Sequence, residues 1–302
     1  MLILNIVLIG ESGSGKTTLE TTSSEILRKG FGMFSARYLN FVESRFQLQA
    51  AAEIREGRYP NATRTAMSRH LQLSHSGTEI MDFRYTDPRG GSFFEHSAIP
   101  EAAALKKAIL LGDAFIVTAD ASRLAKGTNS TEIRRVLSML RLGLGERTRR
   151  RTGLVIALTK TDLVDWNDLG AKKRILAPFQ PLIEAASANP HLHGIVVPTV
   201  CGPEPVNAAV PALWVLHHGA EAIAERDRAT AAEARRLARI ERAKENLLDL
   251  LVSRLITGTP TRAETNAERH AASAATADHN SVTATRHARD LRSHIPSSLF
   301  TF

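Results

Sequence analysis

The sequence predicts an α/β fold: a mostly parallel six-stranded sheet with helices on both faces, three layers in all, followed by a long C-terminal helix and a disordered tail. Three observations carry this reading. Short β-branched or leucine-rich runs alternate with helical stretches up to about residue 218. Such alternation argues for a parallel sheet covered by crossover helices. Beyond that point the composition changes. Residues 219–256 contain no proline, only Gly219 as glycine, and much Ala, Glu, Arg and Leu, the composition of a long charged helix. From Thr257 onward Ala, Thr, Ser and His dominate and large apolar residues are few. Such a segment, 257–302, lacks the apolar surface to offset the entropy of ordering.

Taken in order, ILNIVLI (3–9) is the first strand, with a helix behind it. Residues 38–58 add a helical insert. HLQLSH (70–75) and EIMDFRYTD (79–87) flank Ser76-Gly77 and read as a hairpin, giving the sheet one antiparallel edge strand. AFIVTAD (114–120), GLVIALTK (153–160) and GIVVPTV (194–200) are further strands, and helices are expected at 100–111, 129–143, 170–188 and 204–218. The expected organisation is a domain over 1–218, a helical extension over 219–256 and a low-complexity tail over 257–302. The last stretch, LRSHIPSSLFTF, is apolar again and is a candidate for docking. In the extension, Leu237, Ile240, Leu247, Leu248, Leu251 and Leu255 form a stripe at helical spacing. Lys244 and Arg254 interrupt it, which favours packing on its own domain over a coiled coil with another chain. Trp214 is expected in the core.

The chain has 302 residues, 43% of them hydrophobic, enough for a full core. Its single cysteine, Cys201, leaves no internal disulfide framework and fits a reducing compartment. MLILNIVLIG has no basic lead-in or cleavage site and reads as a strand rather than a signal peptide. No apolar run approaches the ~20 residues of a membrane span. A cytoplasmic protein is expected. The net charge of +8 is scattered apart from Arg147-Thr148-Arg149-Arg150-Arg151. Nucleic acid is not the expected partner, while peripheral contact with an anionic membrane stays open. The cluster precedes strand 153–160. It is therefore expected at the opposite edge of the sheet from any site built at the strands' carboxyl ends.

LIGESGSGKTT (8–18) fits G-x-x-x-x-G-K-[ST], with Gly10, Gly15, Lys16 and Thr17 in the fixed positions and a strand before and a helix after. Glycines let the backbone curl so that N–H groups point at phosphate oxygens, and the helix adds its positive end. Ser12, Gly13, Ser14 and Thr18 complete the expected cradle. Lys16 would reach the β- and γ-phosphates and the Thr17 hydroxyl would ligate Mg²⁺. Thr159-Lys160-Thr161-Asp162 fits [NT]-K-x-D. One carboxylate, Asp162, can accept both donors of guanine's Watson–Crick edge, whereas adenine offers an acceptor there. Lys160 can lay its stem over the base. Asp87-Pro88-Arg89-Gly90 fits D-x-x-G, with Asp87 on Mg²⁺ through water and the Gly90 N–H on the γ-phosphate.

In this order the three motifs resemble the Ras-like, translation-factor-related (TRAFAC) class of P-loop GTPases over residues 1–218. The resemblance implies a G domain that binds GTP and GDP with Mg²⁺. It implies a switch threonine that ligates Mg²⁺, for which Thr63 in Pro60-Asn61-Ala62-Thr63-Arg64 is the candidate and Thr65 the runner-up. It also implies a backbone-contacting turn at Val200-Cys201-Gly202, where Cys201 departs from the usual Ser-Ala. The long gap from Lys16 to Thr63, with its helical insert, is similar to bacterial GTPases of the double-GTPase type.

The position after D-x-x-G, where many relatives orient water with a Gln, is Gly91. Three readings stay open: a partner supplies the missing group, Glu95 or His96 takes over, or turnover is low. Intrinsic hydrolysis is expected to be slow. Arg64 and Arg89 are close enough in sequence to act as internal arginine fingers, or as switch salt-bridge partners. The expected function is a Mg²⁺-dependent GTPase switch in which Lys16, Thr63 and Gly90 serve catalysis. Its expected partner is an effector or activator, a second GTPase or a second copy of the chain. The alternative is a GTP-binding scaffold whose C-terminal helix carries the function.

Overall fold

The computed structural model describes residues 3–59, 67–87, 100–128, 133–134, 137–138, 140–141, 144, 150–243 and 261–302. Seven strands form one sheet: β1 (Ile3–Ile9), β2 (Phe34–Tyr38), β3 (Met67–His75), β4 (Thr78–Asp87), β5 (Ala114–Asp120), β6 (Thr152–Thr159) and β7 (Leu192–Pro198). Their order is β2-β3-β4-β1-β5-β6-β7. The pairs β4–β1, β1–β5, β5–β6 and β6–β7 are parallel, and β3 runs antiparallel to both β4 and β2. The sequence predicts six strands with β3 at the edge; the structure adds β2 outside it. FSARY hides this strand because an edge strand needs only alternate apolar residues. Phe34 and Ala36 face inward, while Arg37 turns outward to Glu79 (2.8 Å) and Gln72 (2.9 Å). Charge on an edge strand discourages pairing with other chains. The β3–β4 hairpin forms where expected, with Ser76 (φ 49°) and Gly77 (φ 80°) both left-handed, as a tight two-residue turn requires.

The helices around the sheet are α1 (Lys16–Lys29), α2 (Phe41–Arg55), α3 (Pro100–Leu111), α4 (Ala121–Ala125), α5 (Leu169–Leu176) and α6 (Gln180–Ser187). The single helix expected over 170–188 divides at Ala177–Phe179, a 3₁₀ turn carrying Pro178, because proline lacks the N–H that a helix interior needs. β5 and β6 are buried along their whole length, the signature of parallel strands covered on both faces. Val7, Ile9, Phe115, Val117, Ile156 and Leu158 face one layer, packed with Leu137, Leu140, Ile175 and Phe179. α2 forms the expected insert. The Asn40 side chain caps it by accepting from the N–H of Val42 (2.9 Å), and Gln47, Ala51 and Ile54 are its buried face. Glu20 of α1 pairs with Arg69 of β3 in the interior, with both side chains almost wholly out of water. Gln47 lies 2.8 Å from Thr21 beside them.

The C-terminal part departs most from expectation. Residues 204–218 and the extension do not form two helices; α7 runs unbroken from Val210 to Ala243. The segment 257–302 is not a disordered tail, since Arg262–Ser293 form a second long helix, α8. A capping box starts it. The Glu264 N–H donates to the Thr261 hydroxyl and the Thr261 N–H to the Glu264 carboxylate, both at 3.0 Å. The chain divides into one unit of residues 1–219 and 288–302 and another of residues 220–287. The second unit is a helical hairpin in which Arg235 pairs with Asp278. Its buried positions are small: Ala224, Ala231 and Ala238 in α7, Ala267, Ala274 and Ser281 in α8. A seven-residue repeat of small side chains keeps one seam facing the partner helix and lets the backbones approach. The leucine stripe expected to be buried is not that seam. Leu237 and Ile240 are exposed, and Leu247, Leu248, Leu251 and Leu255 lie outside the described residues.

Residues 288–302 cross the first unit at the N-terminal ends of its parallel strands. The His217 ring donates to the carbonyl of Ala288 (2.8 Å), His75 meets Asp290 (3.4 Å), and His294 packs edge-on against Phe31 at 5.3 Å. The stretch then reaches the other edge of the sheet. Phe300 and Phe302 pair antiparallel with β7 through Gly194 N–H to Phe302 O (2.7 Å), Phe302 N–H to Gly194 O (2.9 Å) and Val196 N–H to Phe300 O (2.9 Å). The apolar end of the sequence does dock, through a short antiparallel β-bridge to β7.

Candidate functional site

β1 lies at the centre of the sheet, where connections depart to either side and ligands of open α/β sheets bind. Gly10–Gly15 turn the chain from β1 into α1. Gly10 allows a close approach: a Cβ there would lie 2.3 Å from Thr118 Oγ1 and 2.6 Å from the Thr118 carbonyl. Gly13 (φ 78°) and Gly15 (φ 87°) are left-handed, conformations costly to other residues. Their curl makes a concave row of backbone N–H groups. Ser14 is fastened from below, with its hydroxyl 2.8 Å from that of Thr118. No side chain caps the N-terminus of α1, and its first turn holds no acidic residue. The positive helix end therefore stands open to an anion.

Lys16 is 6% exposed and arches back over the loop, donating to the carbonyls of Gly10 (2.8 Å) and Glu11 (3.1 Å). Its charge thus sits on the cradle. Ser12 and Gly13 are exposed at the apex, and Thr17 and Thr18 are half-buried in the first turn of α1. This donor set suits a polyphosphate.

The second loop follows β6 and is tied to the first. The Thr159 hydroxyl donates to the Ser14 carbonyl (2.7 Å), and Lys160 Nζ donates to the Gly13 carbonyl (3.0 Å). Lys160 takes a left-handed backbone (φ 55°) and leads from β6 into a 3₁₀ turn, Thr161–Leu163. Asp162 on that turn is exposed. The Thr161 hydroxyl donates to the carbonyl of Thr199 (3.1 Å), and the Thr199 hydroxyl to that of Leu158 (3.0 Å). These bonds join the turn to Val200-Cys201-Gly202. Burial, then the nearby Asp162 carboxylate, push the Cys201 thiol up to about 12. The turn that carries Asp162 and the turn that carries Cys201 thus lie side by side.

Gly10, Ser12, Gly13, Ser14, Gly15, Lys16, Thr17, Thr18, Thr159, Lys160, Asp162 and Cys201 thus gather at one end of the sheet. Asp87 closes β4, beside β1, in register with Met67 of β3. Thr63, Thr65, Arg64, Arg89, Gly90, Gly91, Glu95 and His96 lie outside the described residues. Of the arginine cluster, Arg150 bonds Asp113 (2.8 Å) and Arg151 approaches His218 (3.5 Å), at the end of the sheet away from the phosphate loop. Arg147 and Arg149 are outside the described residues.

Three residues of the site escaped the sequence reading: Thr118, Asp120 and Arg123, all from β5 and its continuation. Asp120 caps α4, accepting from the N–H groups of Ser122 (3.0 Å) and Arg123 (3.2 Å), and takes Lys160 Nζ at 2.6 Å. Burial alone would raise its carboxyl. The bonds from Lys160, Ser122 and the Arg123 backbone outweigh that and hold it below its ordinary value. The signal was present as D-x-S after an apolar strand, a helix-cap pattern.

A phosphate loop after the central strand and a second loop at the carboxyl end of β6 define a P-loop nucleotide-binding domain. More narrowly, the chain belongs to the Double-GTPase 2 family, whose model matches residues 5–193. Among the solved structures similar to it are two GTP-binding proteins. One is a GTP-binding protein from the archaeon Sulfolobus solfataricus in complex with GDP, at 14% identity and a TM-score of 0.34, covering 68% of this chain and 49% of that one. This chain thus spans about half the length of that protein. The other is an ADP-ribosylation-factor-like GTP-binding protein, the small COPII coat GTPase SAR1, from Encephalitozoon cuniculi in complex with GDP. It has 11% identity and a TM-score of 0.35, and the match covers 70% of this chain and 78% of that one. No curated protein matches the chain.

Proposed function

We propose that this chain is a cytoplasmic, Mg²⁺-dependent GTPase that hydrolyses GTP to GDP and phosphate and acts as a nucleotide-controlled switch. One observation carries the reading: Thr159 and Lys160, two residues of the guanine-type motif, bond directly to Ser14 and Gly13 of the phosphate loop. The two halves of a nucleotide site are thereby held at fixed separation. The loop N–H groups and Lys16 would hold the β- and γ-phosphates. Asp162 would accept from the guanine edge, with Lys160 along the base and the Cys201 turn behind it. Thr17, Asp87 and Thr63 are the residues that would hold Mg²⁺, which supplies neutralisation of phosphate charge. GTP would order the segments around Thr63 and Gly90, and hydrolysis would release them.

Gly91 offers no side chain to orient water, so intrinsic turnover is slow in this reading. A partner, either a second GTPase or a second copy, then supplies the missing group. Family membership and the bonded loops support this reading. The test is equilibrium binding of GTP, GDP and ATP, with single-turnover phosphate release. Guanine nucleotides should bind far more tightly than ATP, release should need Mg²⁺, and Lys16→Ala should abolish both. Equal binding of ATP would refute the base assignment. GTP binding without any release, with or without a partner, would leave a GTP-binding scaffold instead.

A further inference from the structure

β5 pairs with β1 on one side and β6 on the other. Its C-terminal end therefore stands between the phosphate loop and the Thr159–Asp162 loop. A nucleotide that reaches from one loop to the other must pass over this point with its sugar and the inner end of its phosphate chain. Two charged side chains occupy it. Asp120 is almost wholly buried, and its carboxylate is fully engaged. Oδ1 accepts from the Ser122 hydroxyl (2.6 Å) and the N–H groups of Ser122 and Arg123, and Oδ2 accepts from Lys160 Nζ (2.6 Å). Arg123 Nε stands 3.7 Å from that same Oδ2, too far for a hydrogen bond, and the side chain is 48% exposed. Its Nη2 lies 3.7 Å from where a Cβ on Gly13 would be. Two cations thus share one carboxylate at the loop apex, leaving net positive charge there.

We propose that Arg123 is a nucleotide-contacting residue that donates from its guanidinium to the phosphate chain on its ribose side, and that Asp120 is the positioning residue that aims both Arg123 and Lys160. This rests on the guanine-nucleotide reading above. A guanidinium presents a planar fork of donors that suits phosphate oxygens. Asp120 fixes the Arg123 backbone through the α4 cap, while the guanidinium stands 3.7 Å from the carboxylate and keeps its hydrogen-bond donors for another acceptor. Asp120 cannot itself face the phosphates without repulsion, but its lone pairs are already turned into the protein.

The experiment measures binding of GDP and of guanosine to the full chain, by titration at several KCl concentrations. Arg123→Ala should weaken GDP about tenfold, the effect of losing one charge-assisted contact, and leave guanosine unchanged. It should also flatten the salt dependence of GDP binding, which a merely structural role would not move. Arg123→Lys should recover part of the loss, and Asp120→Asn should weaken both ligands, because Lys160 is released too. Unchanged GDP affinity in Arg123→Ala, or equal loss of GDP and guanosine, would overturn the proposal. Should Arg123→Ala melt lower without ligand, Arg123→Gln, which keeps the stem, is read in its place. Wild-type chain that binds no GDP would refute the nucleotide reading itself, and this inference with it.

Discussion

Gly194→Ala tests whether residues 300–302 truly belong to the sheet. Alanine is ordinarily favoured over glycine in a strand, so without a neighbour the change should be neutral or stabilising. Here the added Cβ would lie 2.1 Å from Phe302 Cε2 and 2.3 Å from Cζ, and the ring must leave. Phe302 is partly buried against the main core cluster; losing that packing costs about 1–2 kcal/mol. The three backbone bonds to β7, worth about 1 kcal/mol each, would weaken. Freeing three residues returns about 1 kcal/mol each in backbone entropy. The net loss is about 1–2 kcal/mol. The assay is a double-mutant cycle by urea denaturation with Gly194→Ala, Phe302→Ala and the pair. Gly194→Ala should cost stability in the wild-type background and almost nothing in Phe302→Ala, giving a coupling well above the ~0.5 kcal/mol scatter of independent sites. Equal cost in both backgrounds would refute the docking.

Three further outcomes are expected. Gly10→Ala should destabilise by about 1–3 kcal/mol through overpacking, because its Cβ meets the Thr118 hydroxyl and carbonyl; an unchanged urea midpoint would contradict the packing of the loop on β5. Arg69→Met should cost about 3–5 kcal/mol by leaving Glu20 buried and uncompensated, and adding Glu20→Leu should recover most of it; a double variant no better than the single would show that the pair is not what is lost. Cys201 should alkylate with iodoacetamide far more slowly in the folded chain than in urea at pH 9. Its thiol titrates only at about 12 when folded and at 9.0 in its ordinary state, so the folded chain favours the neutral form. By linkage this stabilisation is complete below pH 9 and is lost as pH rises toward 12. Equal alkylation rates would refute the raised thiol pKa.

The legible parts of this protein were those encoded locally. A phosphate loop needs its glycines and lysine within eight residues, and the β3–β4 turn needs two adjacent left-handed residues; both sets stand contiguous in the sequence and formed where expected. Strands β5 and β6 were legible because burial on both faces demands unbroken apolar runs. The edge strand β2 was not, since one buried face leaves only Phe34 and Ala36 as signal. α8 was missed for a related reason. Its seam is built of alanine, which is too small to register as an apolar stripe, so the large Leu237 and Ile240 drew the prediction to a face that is exposed. The capping box at Thr261 and Glu264 was the overlooked local sign.

The sequence by itself determined the phosphate loop, the β3–β4 turn and the fully buried strands β5 and β6, because each is a short-range pattern with its own backbone requirement. Only the tertiary structure decided that β5 ends between the two loops, where Asp120 and Arg123 stand, and that Phe300–Phe302 close the β7 edge. Both depend on which strands lie side by side. That choice is made by the packing of faces distant in the chain, and no single stretch of sequence carries it.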